Sequence, residues 1–334
     1  MFSKKQQIIR RTFMEQKLFL SIEDQIKRIK NLGIKIDNIK TTKNTLMENS
    51  YYNIINGYRK PFLFHNQNDK FLYGTNFNEI YALYHFDRQL RHYLFSFLLE
   101  IENKIKTQVI YTFLNSKDDQ GNLIHNCNSY LQINSFECNP RYNRLNKPIN
   151  LIANMQHKIA RSFNESDATT HYLTKYGYVP LWVLSTRMTF GDVYNFFECM
   201  ISSERQAVSK LYKIPDNDLL TILKILSYAR NHCAHGNRMY CINKKVDLPL
   251  PDKSVYPIQY YFTLQNVGKH NLLNVYVALK YLLSDKRYKE LITKTKYIID
   301  ELSNRLHVIS IDKINDITGL PADLNSLVKL KQSH

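Results

Sequence analysis

The chain has 334 residues and a formal net charge of +17, which favours a polyanionic partner because cations that meet phosphates release condensed counterions. The same Lys-rich composition also follows from the codon usage of an AT-rich genome, so charge alone does not decide for nucleic acid. The sequence lacks a Gly-rich phosphate loop, HExxH and CxxC spacings, a secretory signal and an apolar run of membrane length, which argues against those classes of protein.

The first predicted helix occupies residues 21–32, SIEDQIKRIKNL, with Ser21 as a candidate N-cap. Apolar residues recur there at helical spacing, at Ile22, Ile26, Ile29 and Leu32. A short hairpin is expected within residues 51–75. The segment 1–75 is therefore predicted to be mainly helical.

The longest amphipathic pattern spans residues 78–113, where a single apolar stripe follows the predicted helix. The stripe consists of Leu83, Phe86, Leu90, Tyr93, Phe97, Ile101, Ile105 and Val109. The polar stretch 116–148 that follows has little periodicity and much Asn and Asp. We therefore expect a long loop or insertion there.

Helical spacing returns between residues 149 and 212, and the next helix, 216–235, begins at Pro215 and is stopped by Gly236. Two more helices are predicted near residues 271–283 and 285–306. Alternating strand patterns are scarce, so the predicted fold class is all-α.

The predicted organisation has three parts. An N-terminal helical segment covers residues 1–75, and a helical core covers 76–240, with the insertion at about 116–148. A C-terminal helical extension covers residues 241–334.

The end of the 216–235 helix carries several polar residues, in the stretch ARNHCAH. The predicted apolar stripe of this helix consists of Leu219, Ile222, Leu223, Leu226, Ala229 and Cys233. At 100° per residue, Arg230 lies roughly 40° from Leu226 of this stripe and about 140° from His235. The two polar side chains therefore meet at one phosphate only if the helix distorts, or if a second copy of the site faces the first. Gly236 suits the C′ position that ends a helix.

These residue types fit the cleavage of RNA without a metal. His235 would abstract the 2′-OH proton or protonate the leaving 5′-oxygen, while Arg230 would hold the non-bridging phosphate oxygens. Asn231 would orient the imidazole or the phosphate, and the products would end in a 2′,3′-cyclic phosphate and a 5′-OH. Two alternatives stay open: a helix end that carries cations because the dipole favours them, and a zinc site of His232, His235 and Cys241 without an evident fourth ligand.

The stretch RNHCAH (230–235) resembles the Arg-x(4–6)-His motif, with Asn after the Arg, of the HEPN ribonuclease superfamily. The order of the upstream segments resembles the Abi-like (abortive-infection, AbiD/AbiF-type) family of bacterial phage-defence proteins. The segments that carry this resemblance are SIEDQIKRIKNLGIKID (21–37), YYNIINGYRKPF (51–62), FDRQLRHYLFSFLLEIENKIKTQV (86–109) and PLWVL with TFGDV (180–193).

The resemblance implies a HEPN-like helical bundle that forms a homodimer, in which two Arg/His motifs share one cleft. It implies a growth-arresting endoribonuclease in phage defence, restrained by a small structured antitoxin RNA. Arg230, Asn231 and His235 are the catalytic positions that it carries over. Glu100 or Glu102 is a possible acidic partner that orients Arg230. HEPN toxins that are silenced by nucleotidylation carry a Tyr two residues after the His, where this chain has Asn237.

We therefore expect a cytoplasmic endoribonuclease that needs no metal or cofactor, binds RNA and does not engage a membrane. The rival interpretation is a non-catalytic RNA-binding protein that uses the same basic groove for ribonucleoprotein assembly, and a third is a protein–protein scaffold. The residues predicted to bind RNA are Lys4, Lys5, Arg10, Arg11, Lys27, Arg28, Arg141, Arg144, Lys244, Lys245, Lys286 and Arg287.

Overall fold

The computed structural model describes residues 19–65, 70–138, 145–163, 165, 167–242 and 271–329. Helices joined by turns and short irregular segments make up this part of the chain, and it contains no β-sheet, so the all-α prediction is confirmed. No helix within these ranges is long and apolar enough to cross a membrane. The chain divides into two compact units, Met1–Tyr81 and Ala82–His334.

The first unit contains α1 (Ile22–Asn31) and α2 (Ile39–Asn49), which pack against each other. The predicted N-cap of α1 is confirmed, because the Ser21 hydroxyl accepts the backbone N–H of Asp24 at 3.1 Å. A single turn of π-helix at Tyr52–Asn56 follows α2.

The hairpin expected within residues 51–75 is reduced to one antiparallel bridge, between Leu63 and Phe71. The backbone before this bridge is a 3-10 turn at Lys60–Phe62 that contains Pro61. Proline fixes φ and removes a donor, so the chain does not extend into a longer strand there.

The second unit is built from helices around one long central helix. Their bounds are α3 (Phe77–Leu114, which begins in the first unit), α4 (Asn146–Ser162), α5 (Asp167–Tyr176), α6 (Leu181–Leu184), α7 (Phe190–Cys199), α8 (Ser202–Lys210), α9 (Asp216–Ala234), α10 (Leu272–Leu282), α11 (Asp285–Ser303), α12 (Ile311–Thr318) and α13 (Asn325–Val328). Helix α9 packs against α7, α8 and α10, and α4 packs against α7. The helices after residue 271 belong to this same unit.

The apolar stripe predicted on α3 faces the core. All of its members are buried except Tyr93, which is half-buried. At 1.5 Å per residue this 38-residue helix is about 57 Å long. It therefore presents a continuous apolar face to the core.

The predicted insertion is irregular, as expected, but part of it packs into the second unit. His125, Tyr130 and Phe136 are buried within the second unit. The Tyr130 hydroxyl donates to the carbonyl of Val179 at 2.7 Å, and His125 Nε2 lies 2.7 Å from Oε1 of Glu204. Residues 125–136 therefore contribute side chains to the core, whereas residues 117–124 are exposed.

A buried carboxylate on α3 fixes the chain just after α9. Oδ1 of Asp87 accepts the backbone N–H groups of Met239 at 2.9 Å and Tyr240 at 2.7 Å, and Oδ2 pairs with Arg91 one turn along α3. The Asp87 side chain is fully buried. Because a buried charge without partners is costly, this carboxylate ties residues 239–240 to α3.

Replacement of Asp87 by Ala should lower the free energy of unfolding of the second unit by about 3–5 kcal/mol, because Arg91 and two backbone N–H groups lose their acceptor. Urea unfolding followed by the fluorescence of Trp182, the single tryptophan, measures this loss. The matched control is Asp300→Ala, which removes an exposed carboxylate from α11. Equal unfolding midpoints for the two variants would contradict the anchoring role of Asp87.

Candidate functional site

Helix α9 carries the predicted site at its C-terminal end. It starts after Pro215, with Asp216 and Asp218 in its first turn, where the helix dipole favours negative charge. Most of the predicted stripe is buried, namely Leu219, Ile222, Leu223, Leu226 and Ala229, whereas Cys233 is half-buried. This apolar face holds α9 against α7 and α10.

The end of α9 is a Schellman motif. Gly236 takes the left-handed conformation with φ +69°, and its N–H donates to the carbonyl of Cys233 at 3.1 Å. The N–H of Asn237 donates to the carbonyl of His232 at 3.0 Å. The predicted C′ position of Gly236 is confirmed, and His235 is the C-cap residue.

Arg230 is held by a buried acid on α3. Its Nε donates to Oε2 of Glu102 at 2.8 Å, and its Nη1 donates to Oδ1 of Asn231 at 3.3 Å. The guanidinium also lies 5.9 Å from the centre of the Phe95 ring. The side chain of Arg230 is 22% exposed, so the fold does not fully enclose it.

The structure separates the two candidate acidic partners. Glu102 contacts Arg230, whereas Glu100 contacts Arg287 at 2.6 Å on α11. Residues two positions apart on a helix point in directions about 200° apart, so only one of these two acids faces α9. Glu100 is thus not the partner of Arg230.

His235 lies on a different side of the helix end from Arg230. Its side chain is exposed, and no described residue forms a hydrogen bond with its imidazole. Because α9 ends in a regular Schellman motif, the distorted turn that would let Arg230 and His235 converge is not observed. On a straight helix the two remain about 140° apart.

His232, the other histidine of the motif, packs against a neighbouring aromatic ring on the same helix. His232 is half-buried, and its ring centre lies 4.9 Å from that of Tyr228. Burial lowers the pKa of His232, and the nearby charges of Arg238 and Arg91 lower it further. Within the described ranges, no group of three or more His, Cys, Asp or Glu side chains is arranged so that it could hold a metal ion.

A second ion pair, which the sequence analysis missed, joins α4 to α7. Lys158 lies 2.8 Å from Oδ2 of Asp192, and the Asn154 amide donates to Oδ1 at 2.7 Å. Asp192 also forms a capping box with Thr189. Although burial acts to raise it, the pKa of Asp192 is lowered overall, because Lys158 and Thr189 hydrogen-bond to the carboxylate. The T-x-x-D spacing within TFGDV is the sequence signal for this cap.

Gly191, in the same segment, lies where α7 packs on α9, and this packing leaves room for a Cβ atom there. A Cβ atom on Gly191 would lie 3.6 Å from Oγ of Ser227, in ordinary van der Waals contact. The TFGDV segment therefore contributes both the cap of α7 and its surface against α9.

Few of the residues predicted to bind RNA lie in the described ranges. Lys27, Arg28 and Lys286 are exposed, and Lys27 pairs with Asp24. The charge of Arg287 is largely satisfied by Glu100 and Glu290. The others, Lys4, Lys5, Arg10, Arg11, Arg141, Arg144, Lys244 and Lys245, lie outside the described residues.

Comparison with family models gives one match. The model of the Abi-like protein family matches residues 44–241, which run from α2 to just past the end of α9. Neither the curated proteins nor the solved structures contain a match for the chain. The matched range includes Glu102 and Arg230, and also His235.

Replacement of Gly236 by Ala should destabilise the end of α9 by about 1–2 kcal/mol, because an L-residue is strained at this positive φ. No atom lies within 4 Å of the added Cβ, so the cost is conformational rather than steric. Thermal unfolding measures the change, and Gly236→Asn should lose less, since Asn tolerates this conformation. Gly191→Ala is the control without a positive φ, and a larger loss for it than for Gly236→Ala would contradict the prediction.

Proposed function

The chain belongs to the Abi-like protein family, and from this we propose that it is a metal-independent endoribonuclease that arrests growth in phage defence. Family membership supports a role in abortive infection. The single observation that carries the nuclease proposal is the Glu102–Arg230 pair, which holds a partly exposed arginine side chain near the end of α9. Arg230, Asn231 and His235 are its proposed catalytic residues.

Arg230 is suited to binding a phosphate because its hydrogen bonds to Glu102 and Asn231 use only some of its N–H donors. A guanidinium has five N–H groups, and the contacts with Glu102 and Asn231 occupy Nε and one position on Nη1. The remaining N–H groups have no hydrogen-bond partner among the described residues. A fixed, planar donor of this kind binds two non-bridging phosphate oxygens in a bidentate arrangement.

His235 provides proton transfer. An imidazole exchanges protons near neutral pH, and the exposure of His235 gives a substrate access to it. In the proposed reaction the 2′-oxygen loses its proton to an imidazole and attacks phosphorus, and the bond from phosphorus to the 5′-oxygen breaks. The 5′-oxygen takes up a proton, which leaves a 2′,3′-cyclic phosphate and a 5′-OH.

The angle between Arg230 and His235 supports a dimeric site. Because α9 ends without distortion, the two side chains of one protomer diverge. A two-fold dimer in which two α9 ends face each other would place Arg230 of one protomer near His235 of the other.

An RNA antitoxin fits this site better than nucleotidylation does. Tyr240 is the first tyrosine after the motif, and its side chain is buried, so a modifying enzyme has no access to its hydroxyl. A structured RNA that covers the exposed end of α9 would compete directly with the substrate. The rival function, RNA binding without cleavage, would use the same cations. It differs from the proposed function because the RNA stays intact.

His235→Ala and Arg230→Lys should each reduce RNA cleavage in the presence of EDTA by at least about 100-fold, since each removes a transition-state contact. Lys keeps a positive charge for Glu102 but lacks the planar fork, so Arg230→Lys separates catalysis from folding. End analysis of the products, together with circular dichroism of both variants, provides the measurement. Wild-type protein that binds RNA without cutting it would establish the rival function.

Mixing the Arg230→Lys and His235→Ala proteins tests the composite site. If each site takes its Arg from one protomer and its His from the other, mixed dimers contain one intact site. Cleavage should then recover to about a quarter of the wild-type rate, because half of the dimers are mixed and half of their sites are intact. No recovery after subunit exchange, confirmed by mass spectrometry, would place both residues of a site in one protomer.

A further inference from the structure

Lys106 lies one turn beyond Glu102 on α3, on the side of the helix that faces Arg230. Residues four apart on a helix are neighbours, with Cβ atoms about 6 Å apart, so the Lys106 side chain reaches the surroundings of the Glu102–Arg230 pair. Lys106 is half-buried. It forms no hydrogen bond or salt bridge with any residue that the structure describes.

Four helices contribute charges to the environment of this amine. Burial lowers the pKa of Lys106, and the positive charges of Arg230 on α9 and Lys158 on α4 lower it further. Glu102 on α3 and Asp192 on α7 act in the opposite direction. Both acids already have other partners, since Glu102 binds Arg230 at 2.8 Å and Asp192 binds Lys158 at 2.8 Å.

The three cations at this point are therefore not equivalent. Arg230 and Lys158 each have a carboxylate of their own within salt-bridge distance, whereas Lys106 has none among the residues that the structure describes. A partly desolvated ammonium without a counter-ion is costly to a fold. Such groups concentrate at sites where a ligand supplies the missing charge.

We propose that Lys106 and Arg230 together bind the scissile phosphate of RNA, with Lys106 as the second cation on its non-bridging oxygens. This inference rests on the proposed ribonuclease function and adds a residue to its site. Lys106 neutralises charge that develops on the phosphate when the 2′-oxygen attacks, and Arg230 fixes the orientation of the same group.

Neighbouring lysines do not fit this role. The ammonium of Lys104, half a turn earlier on α3, donates to the carbonyl of Leu282 at 3.2 Å and lies 5.0 Å from the centre of the Tyr212 ring. Lys158 is held by Asp192, which Thr189 and Asn154 position in turn. Only Lys106 combines partial burial, a place beside Arg230 and no salt-bridge partner among the described residues.

The test measures the binding of a labelled single-stranded RNA oligonucleotide in the His235→Ala background, where the RNA stays intact. Lys106→Met should weaken binding about tenfold at physiological salt. It should also reduce the slope of log K against log salt by about 0.7, as expected for one lost phosphate contact with a single strand. Lys296→Met, which removes an exposed lysine of α11 and the same charge, is the matched control and should change neither value appreciably.

Lys106→Arg provides a readout that a structural role would not affect. The Lys106 amine attracts phosphate only when it is protonated, so the affinity of the protein for RNA should fall as the pH rises through the lowered pKa of Lys106. Arg stays charged throughout this range, so Lys106→Arg should restore binding and extend it to higher pH. In the active background, Lys106→Met should slow cleavage about 100-fold.

The possible failures are distinguishable. If the wild type cleaves RNA but Lys106→Met behaves like Lys296→Met in binding, salt slope and cleavage, the assignment of Lys106 is wrong and the ribonuclease function stands. If the wild type neither binds nor cleaves RNA, both the ribonuclease function and the role of Lys106 are overturned.

Discussion

The ion pair between Glu102 and Arg230 is the constraint on which the proposed site depends. The Glu102 side chain is only 5% exposed, and a carboxylate at that depth needs a cation close by. Removing one partner of such a pair typically costs about 3–5 kcal/mol, since the other charge is left buried. The pair therefore fixes α9 against α3 in both position and rotation, and it keeps the guanidinium in a single orientation.

The same central helix also fixes the chain beyond α9. Asp87 lies fifteen residues before Glu102 on α3, about 22 Å away along the helix axis, and it binds the backbone at residues 239–240. Helix α9 and the segment after it are thus tied to α3 at two points, with His235 between them. The exposed imidazole projects from a backbone that both anchors and the Schellman motif restrain. A catalytic group on such a backbone needs little reorganisation when a substrate binds.

The features that depend on local spacing are readable from the sequence. The cap at Ser21, the apolar stripe of α9 and the left-handed Gly236 each follow from residues within a few positions of one another, and the structure has all three. The order of the segments also indicates the family, whose model matches residues 44–241. The π-helical turn after α2 and the packing of the predicted insertion into the core have no comparable local signal.

The choice between Glu100 and Glu102 shows why the rest of the site is harder to predict. Both acids lie on α3, and the one that faces Arg230 is decided by the rotation of α3 against α9, which is a property of the packed helices. Lys106 and Asp192 cannot be identified as site residues from the sequence for the same reason. A lysine on an amphipathic helix is usually solvated, and an acid in a capping box usually serves only its own helix. Their importance emerges only when α3, α4, α7 and α9 are brought together.

The different positions of Arg230 and His235 in one protomer would affect how the activity of the enzyme is regulated. Under the proposed function, one protomer holds a fixed phosphate-binding group, while its proton-transfer group points elsewhere, so the isolated chain is an incomplete enzyme. Activity then depends on association, and the population of dimers rises with protein concentration by mass action. An RNA that covers the end of α9 blocks both the substrate and the facing protomer. A toxin of this kind stays inactive while its concentration is low or while RNA covers the end of α9, without any modification of Tyr240.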